Sequence, residues 1–123
     1  MNVPKELEAF MEAYEAANNT HVWPNVQPFI SPTATYWFTD GSYTGISAIQ
    51  KAIEATFASI QNEDYKVSDI HWPVVNSDVA VCTYDFSWKG MVNGNPKSGQ
   101  GRGTNVLRKH NSSWQIVHEH LSV

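Results

Sequence analysis

Two carboxylic acids, Asp85 and Glu119, each lie in a β-like run of mostly apolar residues. Side chains alternate between the two faces of a strand, so each carboxyl shares its face with apolar or small neighbours. These neighbours are Val81, Thr83, Val117 and Leu121. A carboxyl among apolar side chains loses hydration, which raises its pKa toward neutrality and suits it to general-base catalysis. The alternative is a structural contact with Arg102, Arg108 or a histidine.

Two histidines, His118 and His120, lie two positions apart in the last of these runs. One metal ion can contact two rings at this spacing, but a zinc site needs at least one further protein ligand. His71 is the only loose candidate for a third ligand, so we predict no bound metal and no cofactor. The preferred interpretation of the pair is hydrogen bonding at a subunit interface.

The spacing of apolar residues predicts the elements that would position these side chains. Apolar residues between Leu7 and Tyr14 recur at three- and four-residue steps, which predicts a helix near 4–18, and a similar period predicts another near 47–61. Alternating or β-branched runs separated by turn-forming residues predict strands at 33–39, 67–75, 79–88, 102–109 and 114–121. The sequence therefore predicts an α+β fold, with both helices on one side of a curved, mostly antiparallel sheet.

The run 79–88 is apolar at both odd and even positions, unlike a strand with one face in water. Two helices can cover only one face of a five-stranded sheet, so we expect a second copy of the chain to cover the other. We therefore predict a homodimer that forms through the convex face of the sheet. The predicted interface residues are Tyr84, Phe86, Trp88, Trp114, Ile116, His118 and His120.

Length, charge and composition restrict the possible classes of protein. The chain has 123 residues, a formal net charge of −4 and one cysteine, Cys82. This length suits one domain with a substantial core. Because lysine and arginine form no run, we expect no binding to nucleic acid or to a membrane surface. The sequence has no signal-peptide core and no apolar stretch of spanning length, so we expect a single cytoplasmic domain over residues 1–123.

The C-terminal residues carry a pattern that resembles a known family. Residues 101–122 read GRGTNVLRKHNSSWQIVHEHLS. This is similar to the closing hairpin of SnoaL-like proteins in the nuclear-transport-factor-2-like superfamily, which share R-G-T-x-V-x-R, a turn, and W-x-I-V-H-x-H-x-S. The segment 29–38, followed by Thr44-Gly45-Ile46 and a helix, fits the same superfamily. The resemblance implies a cone, in which a sheet wraps around a long helix with a pocket inside and a dimer interface outside.

The resemblance also implies roles for three positions. Tyr14 stands where the ketosteroid isomerases of this superfamily carry an oxyanion-stabilising tyrosine, and Asn105 where they carry a second, protonated acid. Phe38 stands where they carry the general-base aspartate, and it cannot accept a proton, so steroid-type isomerisation is not expected. The alternatives are a tyrosine packed in the core and an amide satisfied within the sheet.

Two hypotheses of function follow, because the superfamily includes isomerases, cyclases, dehydratases and non-catalytic oligomerisation domains. The first is a small-molecule-binding domain that catalyses proton transfer on a small apolar carbonyl or hydroxyl compound. Its predicted catalytic residues are Glu119, Asp85, Tyr14 and Asn105. Its predicted ligand-binding residues are Tyr36, Phe38, Val81, Thr83, Val117 and Leu121. The second is a non-catalytic dimerisation or ligand-sensing domain, which Phe38 and the doubly apolar strand favour.

Overall fold

A computed structural model describes residues 3–123, in which helices pack on one face of a six-stranded sheet. The helices are α1 (Lys5–Asn19), the single turn α2 (Trp23–Val26) and α3 (Ile46–Ser59). The strands are β1 (Ile30–Phe38), β2 (Gly41–Thr44), β3 (Gln61–Val75), β4 (Val79–Val92), β5 (Asn95–His110) and β6 (Ser113–Ser122). The predicted α+β fold is confirmed. None of the helices within residues 3–123 is long and apolar enough to cross a membrane.

The strands lie in the order β2-β1-β6-β5-β4-β3. Only β1 and β6 run parallel among the described strands, and the other neighbours are antiparallel, as predicted. The sequence did not predict β2, because four residues are too few to show an alternating pattern. This strand pairs with β1 after a turn at Thr39 and Asp40.

The two long helices bury their apolar stripes against what we call the inner face of the sheet. α1 buries Leu7, Met11 and Tyr14, and α3 buries Ile49 and Ile53. The steps between these residues match the helical repeat, so each helix presents one apolar side to the strands. Burying each large apolar side chain stabilises the fold by about 1.5–3 kcal/mol.

Side chains of α1 also cover the free edge of β3. The Val67 N–H donates to Glu15 Oε2 at 2.6 Å, and the Tyr65 N–H donates to Asn19 Oδ1 at 2.7 Å. In return, Asn19 Nδ2 donates to the Tyr65 carbonyl at 2.8 Å. These bonds satisfy an edge that would otherwise be available for pairing with another chain. They also fix Tyr65 relative to α1, which carries Tyr14.

The orientation of β4 is opposite to the one we predicted. Tyr84 and Phe86 are buried on the inner face, and Asp85 is exposed on the outer face. Val81 and Thr83 alternate with the buried side chains, so they also lie outside. The prediction failed because both sets of positions in this strand are apolar, and apolar character alone therefore cannot choose between the two faces.

Three glycines in β5 decide this orientation. Gly99, Gly101 and Gly103 lie directly opposite Trp88, Phe86 and Tyr84 in the neighbouring strand β4. A Cβ atom on any of these glycines would collide with the ring opposite it. The three rings therefore pack directly against the β5 backbone, where the glycines leave room for them. This room exists on the inner face, so the rings must lie there.

A β-bulge in β6 changes the face to which its residues point. Val106 pairs with His118 and Leu107 pairs with Ile116, so Val117 has no partner in β5. Trp114 and Ile116 before the bulge are buried, and so is Glu119 after it. A bulge residue breaks strict alternation, which is why Trp114 and Ile116 lie inside, contrary to the prediction.

The predicted dimer interface is consequently wrong in most of its members. Five of its aromatic and aliphatic side chains belong to the inner face, namely Tyr84, Phe86, Trp88, Trp114 and Ile116. His118 and His120 do lie on the outer face. Two rows cross that face in register, and their members are Thr35-His118-Val106-Val81-Val74 and Trp37-His120-Thr104-Thr83-His71.

Candidate functional site

A cavity of about 310 Å³ lies between the inner face of the sheet, α1 and α3. This volume is at the lower end of the range for small-molecule pockets, which is about 300–1,000 Å³. Much of its wall is aromatic, and the rings belong to Phe38, Tyr43, Phe57, Tyr65, Phe86 and Trp88. Tyr14 and Glu119 add polar groups to this wall, so the cavity combines a largely apolar surface with a hydrogen-bonding site.

Glu119 belongs to a row that crosses the inner face in register. Its neighbours along the row are Tyr36 in β1 and Asn105 in β5, and Cys82 in β4 follows Asn105. Glu119 is 3% exposed, and the other three side chains are fully buried. Burial raises the pKa of the Cys82 thiol to about 12, so it stays neutral. The row therefore has one group that can change its charge near neutral pH.

A chain of hydroxyl groups ends at the Glu119 carboxyl. The Tyr14 hydroxyl donates to Glu119 Oε1 at 2.9 Å and lies 2.8 Å from the Tyr36 hydroxyl. A phenol has one proton to donate, so when Tyr14 donates to the carboxylate, Tyr36 must donate to Tyr14. The chain can accommodate a change in the protonation of Glu119 by rotating hydroxyl groups.

A second pair of side chains supports the carboxyl from the other side. The Tyr84 hydroxyl donates to Asn105 Oδ1 at 2.8 Å and lies 3.5 Å from Glu119 Oε1. The Asn105 oxygen is thus occupied, and its Nδ2 donates weakly to the Met11 sulfur at 3.9 Å. The amide also lowers the pKa of the neighbouring Glu119, because a nearby N–H donor favours the ionised carboxylate.

Burial controls the ionisation of Glu119. Loss of hydration raises its pKa from the ordinary 4.5 to about 7, and the nearby polar groups of Tyr14, Asn105 and Tyr84 offset only part of the increase. Among residues 3–123, no basic side chain forms an ion pair with it. Arg102 and Arg108 are exposed, so the alternative of a structural ion pair does not apply to Glu119.

The phenols beside Glu119 are held in their neutral form. Burial, followed by the negative charge of Glu119, raises the pKa values of Tyr14, Tyr36 and Tyr84 well above the ordinary 10. Each therefore stays protonated at neutral pH and is able to donate a hydrogen bond. The site thus combines one titratable acceptor with several fixed donors, an arrangement suited to moving a proton to and from a bound molecule.

The structure brings together some of the predicted site residues and separates others. Tyr14, Phe38, Glu119 and Leu121 line the cavity. Tyr36 and Asn105 lie behind the wall, each fully buried. The remaining four predicted residues are outside the cavity, which corrects the prediction for Asp85, Val81, Thr83 and Val117.

Sequence reasoning missed an acidic residue in the wall, Glu63. It lies at the start of β3, is partly buried and lines the cavity. Burial raises its pKa, and the nearby His21 lowers it. The segment from Gln61 to Lys66 is mostly polar and has no apolar alternation, so it gave no sign of a strand. Tyr84 was also missed, although its alternation with Phe86 and Trp88 opposite three alternating glycines was a usable signal.

The outer face has a different kind of polar cluster. Thr35 Oγ1 lies 2.7 Å from His118 Nδ1, and the Trp37 ring contacts both His118 and His120 at centroid distances of 4.8 and 5.5 Å. His71 pairs with Asp69 at 3.0 Å instead of approaching them. Within the part of the chain that the structure describes, no three His, Cys, Asp or Glu side chains are grouped to hold a metal ion.

The sequence pattern of the SnoaL-like domain matches residues 7–123. The chain belongs to the SnoaL-like family. This confirms the resemblance inferred from its C-terminal hairpin. Among curated protein sequences, none matches the chain significantly.

Solved structures of similar shape support the same fold. A nuclear transport factor 2-like superfamily protein of Salmonella enterica serovar Typhimurium aligns with a TM-score of 0.88 and 21% identity, over 96% of this chain and 88% of the Salmonella chain. A Novosphingobium aromaticivorans protein, provisionally named an aromatic ring hydroxylase, aligns with a TM-score of 0.87 and 16% identity, over 98% of this chain and 91% of the other. The association domain of Caenorhabditis elegans CaMKII aligns with a TM-score of 0.78 and 14% identity, over 97% of this chain and 94% of the other. At these identities the likeness concerns the fold alone.

Proposed function

We propose that this SnoaL-like domain binds a small, largely apolar carbonyl or hydroxyl compound in its cavity and catalyses proton transfer on it. The observation that carries the proposal is the Glu119 carboxyl, which is buried in the cavity wall without a cation and has a pKa of about 7. A general base is most effective when its pKa lies near the working pH.

In the proposed reaction, Glu119 accepts a proton from the carbon next to a carbonyl group. The electron pair of the broken C–H bond then forms an enolate, whose negative charge develops on the carbonyl oxygen. The Tyr14 hydroxyl, which donates to Glu119 in the free protein, donates to this oxygen instead, and Tyr36 supports Tyr14 from behind. Return of the proton from Glu119 to a different atom of the ligand completes an isomerisation and restores the carboxylate.

Asn105 and Tyr84 act in this scheme as positioning residues. Neither the Asn105 amide nor the Tyr36 ring lines the cavity, so a direct contact of Asn105 with the ligand, as the resemblance implied, is not part of the proposal. The amide instead orients the carboxylate and limits the increase in its pKa. General acid–base catalysis of this type contributes about 10²–10⁴-fold to a rate.

The test is to titrate a panel of cyclic ketones and phenols into the wild type and the Glu119→Gln variant by NMR. We expect ligand-induced shifts at Tyr14, Phe38 and Leu121 in both proteins, and exchange of the ligand's α-protons with deuterium only in the wild type. Glu8→Gln, at an exposed position of α1, is the matched control. Binding without α-proton exchange would support a ligand-sensing domain, and the absence of any shift in the cavity would contradict the proposal.

The outer face favours a second candidate role, the formation of a homodimer. Trp37 and Val74 are 47% and 45% exposed at opposite ends of the two outer rows, and Val81 and Val106 lie between them. We propose a second copy of this chain as the partner because a similarly folded protein is named an association domain. Trp37→Lys should weaken self-association in sedimentation experiments, whereas Val22→Lys, at a 46% exposed position preceding α2, should not. Equal sedimentation of wild type and Trp37→Lys would contradict this interface.

A further inference from the structure

The charged side chains that line the cavity all have the same sign. They are Asp40 at the turn after β1, Glu63 in β3 and Glu119 in β6. Among residues 3–123, no lysine, arginine or histidine belongs to the lining. His21 is basic and affects Glu63, but it lies behind the wall, with its ring 5.5 Å from that of Phe57. A cavity with walls of low dielectric concentrates such a field on whatever enters it.

The wall near Glu63 is aromatic. Tyr65, two residues further along β3, pairs in register with Trp88 of β4. Gly90 follows on the same side of β4, and a Cβ there would come within 3.2 Å of Glu63 Cα. Glu63 is therefore close to the rings of Tyr65 and Trp88, and the faces of such rings attract organic cations within about 6 Å.

Glu63 also has no ion pair of its own. Among the described residues no basic side chain lies within ion-pair distance of its carboxyl, and His21 lowers its pKa only from further away. A partly buried carboxylate of this kind gains from an incoming cation, because the lost hydration is then replaced by a charge. Glu119 differs, since it is already bound by Tyr14.

We propose that the ligand of this cavity carries a protonated amine, which lies between Glu63 and the rings of Tyr65 and Trp88 while a neutral polar group faces Tyr14 and Glu119. The neutral polar end of the ligand, which faces Tyr14 and Glu119, rests on the proposed function. The inference adds the chemical class of the other end, a protonated amine. An organic ammonium ion suits an aromatic wall better than a metal ion does, because small divalent cations require several oxygen ligands. Anionic ligands would be repelled by the three carboxyl groups.

Three compounds with the same ring test this inference. Tyramine, its alcohol analogue tyrosol and 4-hydroxyphenylacetate share a phenol but end in an ammonium, a hydroxyl and a carboxylate group. At pH 7.5 we expect calorimetry to show that tyramine binds about tenfold more tightly than tyrosol, which is the order of effect of a partly desolvated cation site. 4-Hydroxyphenylacetate should bind most weakly.

Glu63→Gln keeps the shape of the side chain and removes its charge. In this variant we expect the preference for tyramine over tyrosol to fall from about tenfold to within about twofold. Glu8→Gln removes the same charge from an exposed site on α1 and should leave the tenfold preference intact.

Two results would overturn the inference: equal binding of tyramine and tyrosol to the wild type, or a tyramine preference that persists in Glu63→Gln. Either of them leaves the proposed function in place as long as tyrosol shifts the NMR signals of Tyr14 and the Glu119 carboxyl. If none of the three compounds shifts a signal in the cavity, both the inference and the proposed function are wrong.

Discussion

The inner and outer faces of the sheet both carry polar residues on neighbouring strands, but the inner ones are buried and the outer ones are exposed to water. On the inner face, Glu119 lies between Tyr36 and Asn105, and all three are buried. On the outer face, Asp85 pairs in register with Arg102, and both are exposed. Two carboxyl groups thus have opposite surroundings, and burial without a cation raises the pKa of Glu119, on which the proposed proton transfer depends.

The largest expected effect concerns the pH dependence of stability. Since the pKa of Glu119 is about 7 in the folded protein against 4.5 ordinarily, the folded state binds more protons between these two values. The contribution of Glu119 to the free energy of unfolding should therefore be largest below pH 4.5 and fall by about 3 kcal/mol as the pH rises through 7. Urea unfolding of Glu119→Gln from pH 4.5 to 8 should lack this decrease.

Asp85→Asn is the matched control on the outer face. It should keep the decrease in stability seen in the wild type and change the free energy of unfolding at any one pH by no more than about 0.5 kcal/mol. If Asp85→Asn abolished the decrease and Glu119→Gln did not, the two faces would have the reverse of the properties described.

A smaller effect is expected from filling the glycine stripe of β5. In Gly103→Ala the new Cβ meets the Tyr84 ring, and moving that ring disturbs its bond to Asn105. We expect a loss of about 2 kcal/mol in urea unfolding, typical of overpacking in a core. Gly41→Ala has no neighbour closer than 3.5 Å and should be nearly neutral, so equal effects of the two changes would contradict the role of the stripe.

The smallest effect should come from Tyr14→Phe. Removal of the hydroxyl takes a donor from Glu119 and a partner from Tyr36, which should lower the free energy of unfolding by about 1 kcal/mol. Because that bond lowers the pKa of Glu119, its loss should move the midpoint of the pH dependence upward. An unchanged or lower midpoint would mean that Tyr14 does not donate to the carboxylate.

The helices and most strands were predictable, since apolar residues repeat at helical steps within α1 and again within α3, and turn-forming residues separate the later strand-like runs. The face to which each strand points was harder, because Cys82 and Val81 are both apolar and a one-residue shift exchanges the two faces. Val117 introduces such a shift in β6 without any residue type that marks a bulge. Local sequence therefore indicates that these strands form, while the packing of side chains across strands decides which of their residues share a cavity.

Within the site, the position of Tyr14 was the one that a single element determines. Tyr14 belongs to the apolar stripe of α1, so its inward direction follows from helical geometry. Glu63 lies in a polar run that joins the wall only because α1 fixes β3 through Asn19 and Glu15. Contacts between residues 46 and 52 positions apart in the chain leave no local pattern to detect.

The most direct test of the central claim is the pKa of the Glu119 side chain, measured by carbon-detected NMR with Glu119→Gln to assign the carboxyl signal. A titration midpoint of about 7, with the ring signals of Tyr14 and Tyr84 changing at the same pH, is the predicted result. A midpoint at or below the ordinary 4.5 would contradict it, because such a carboxyl would be too weak a base for the proposed proton transfer.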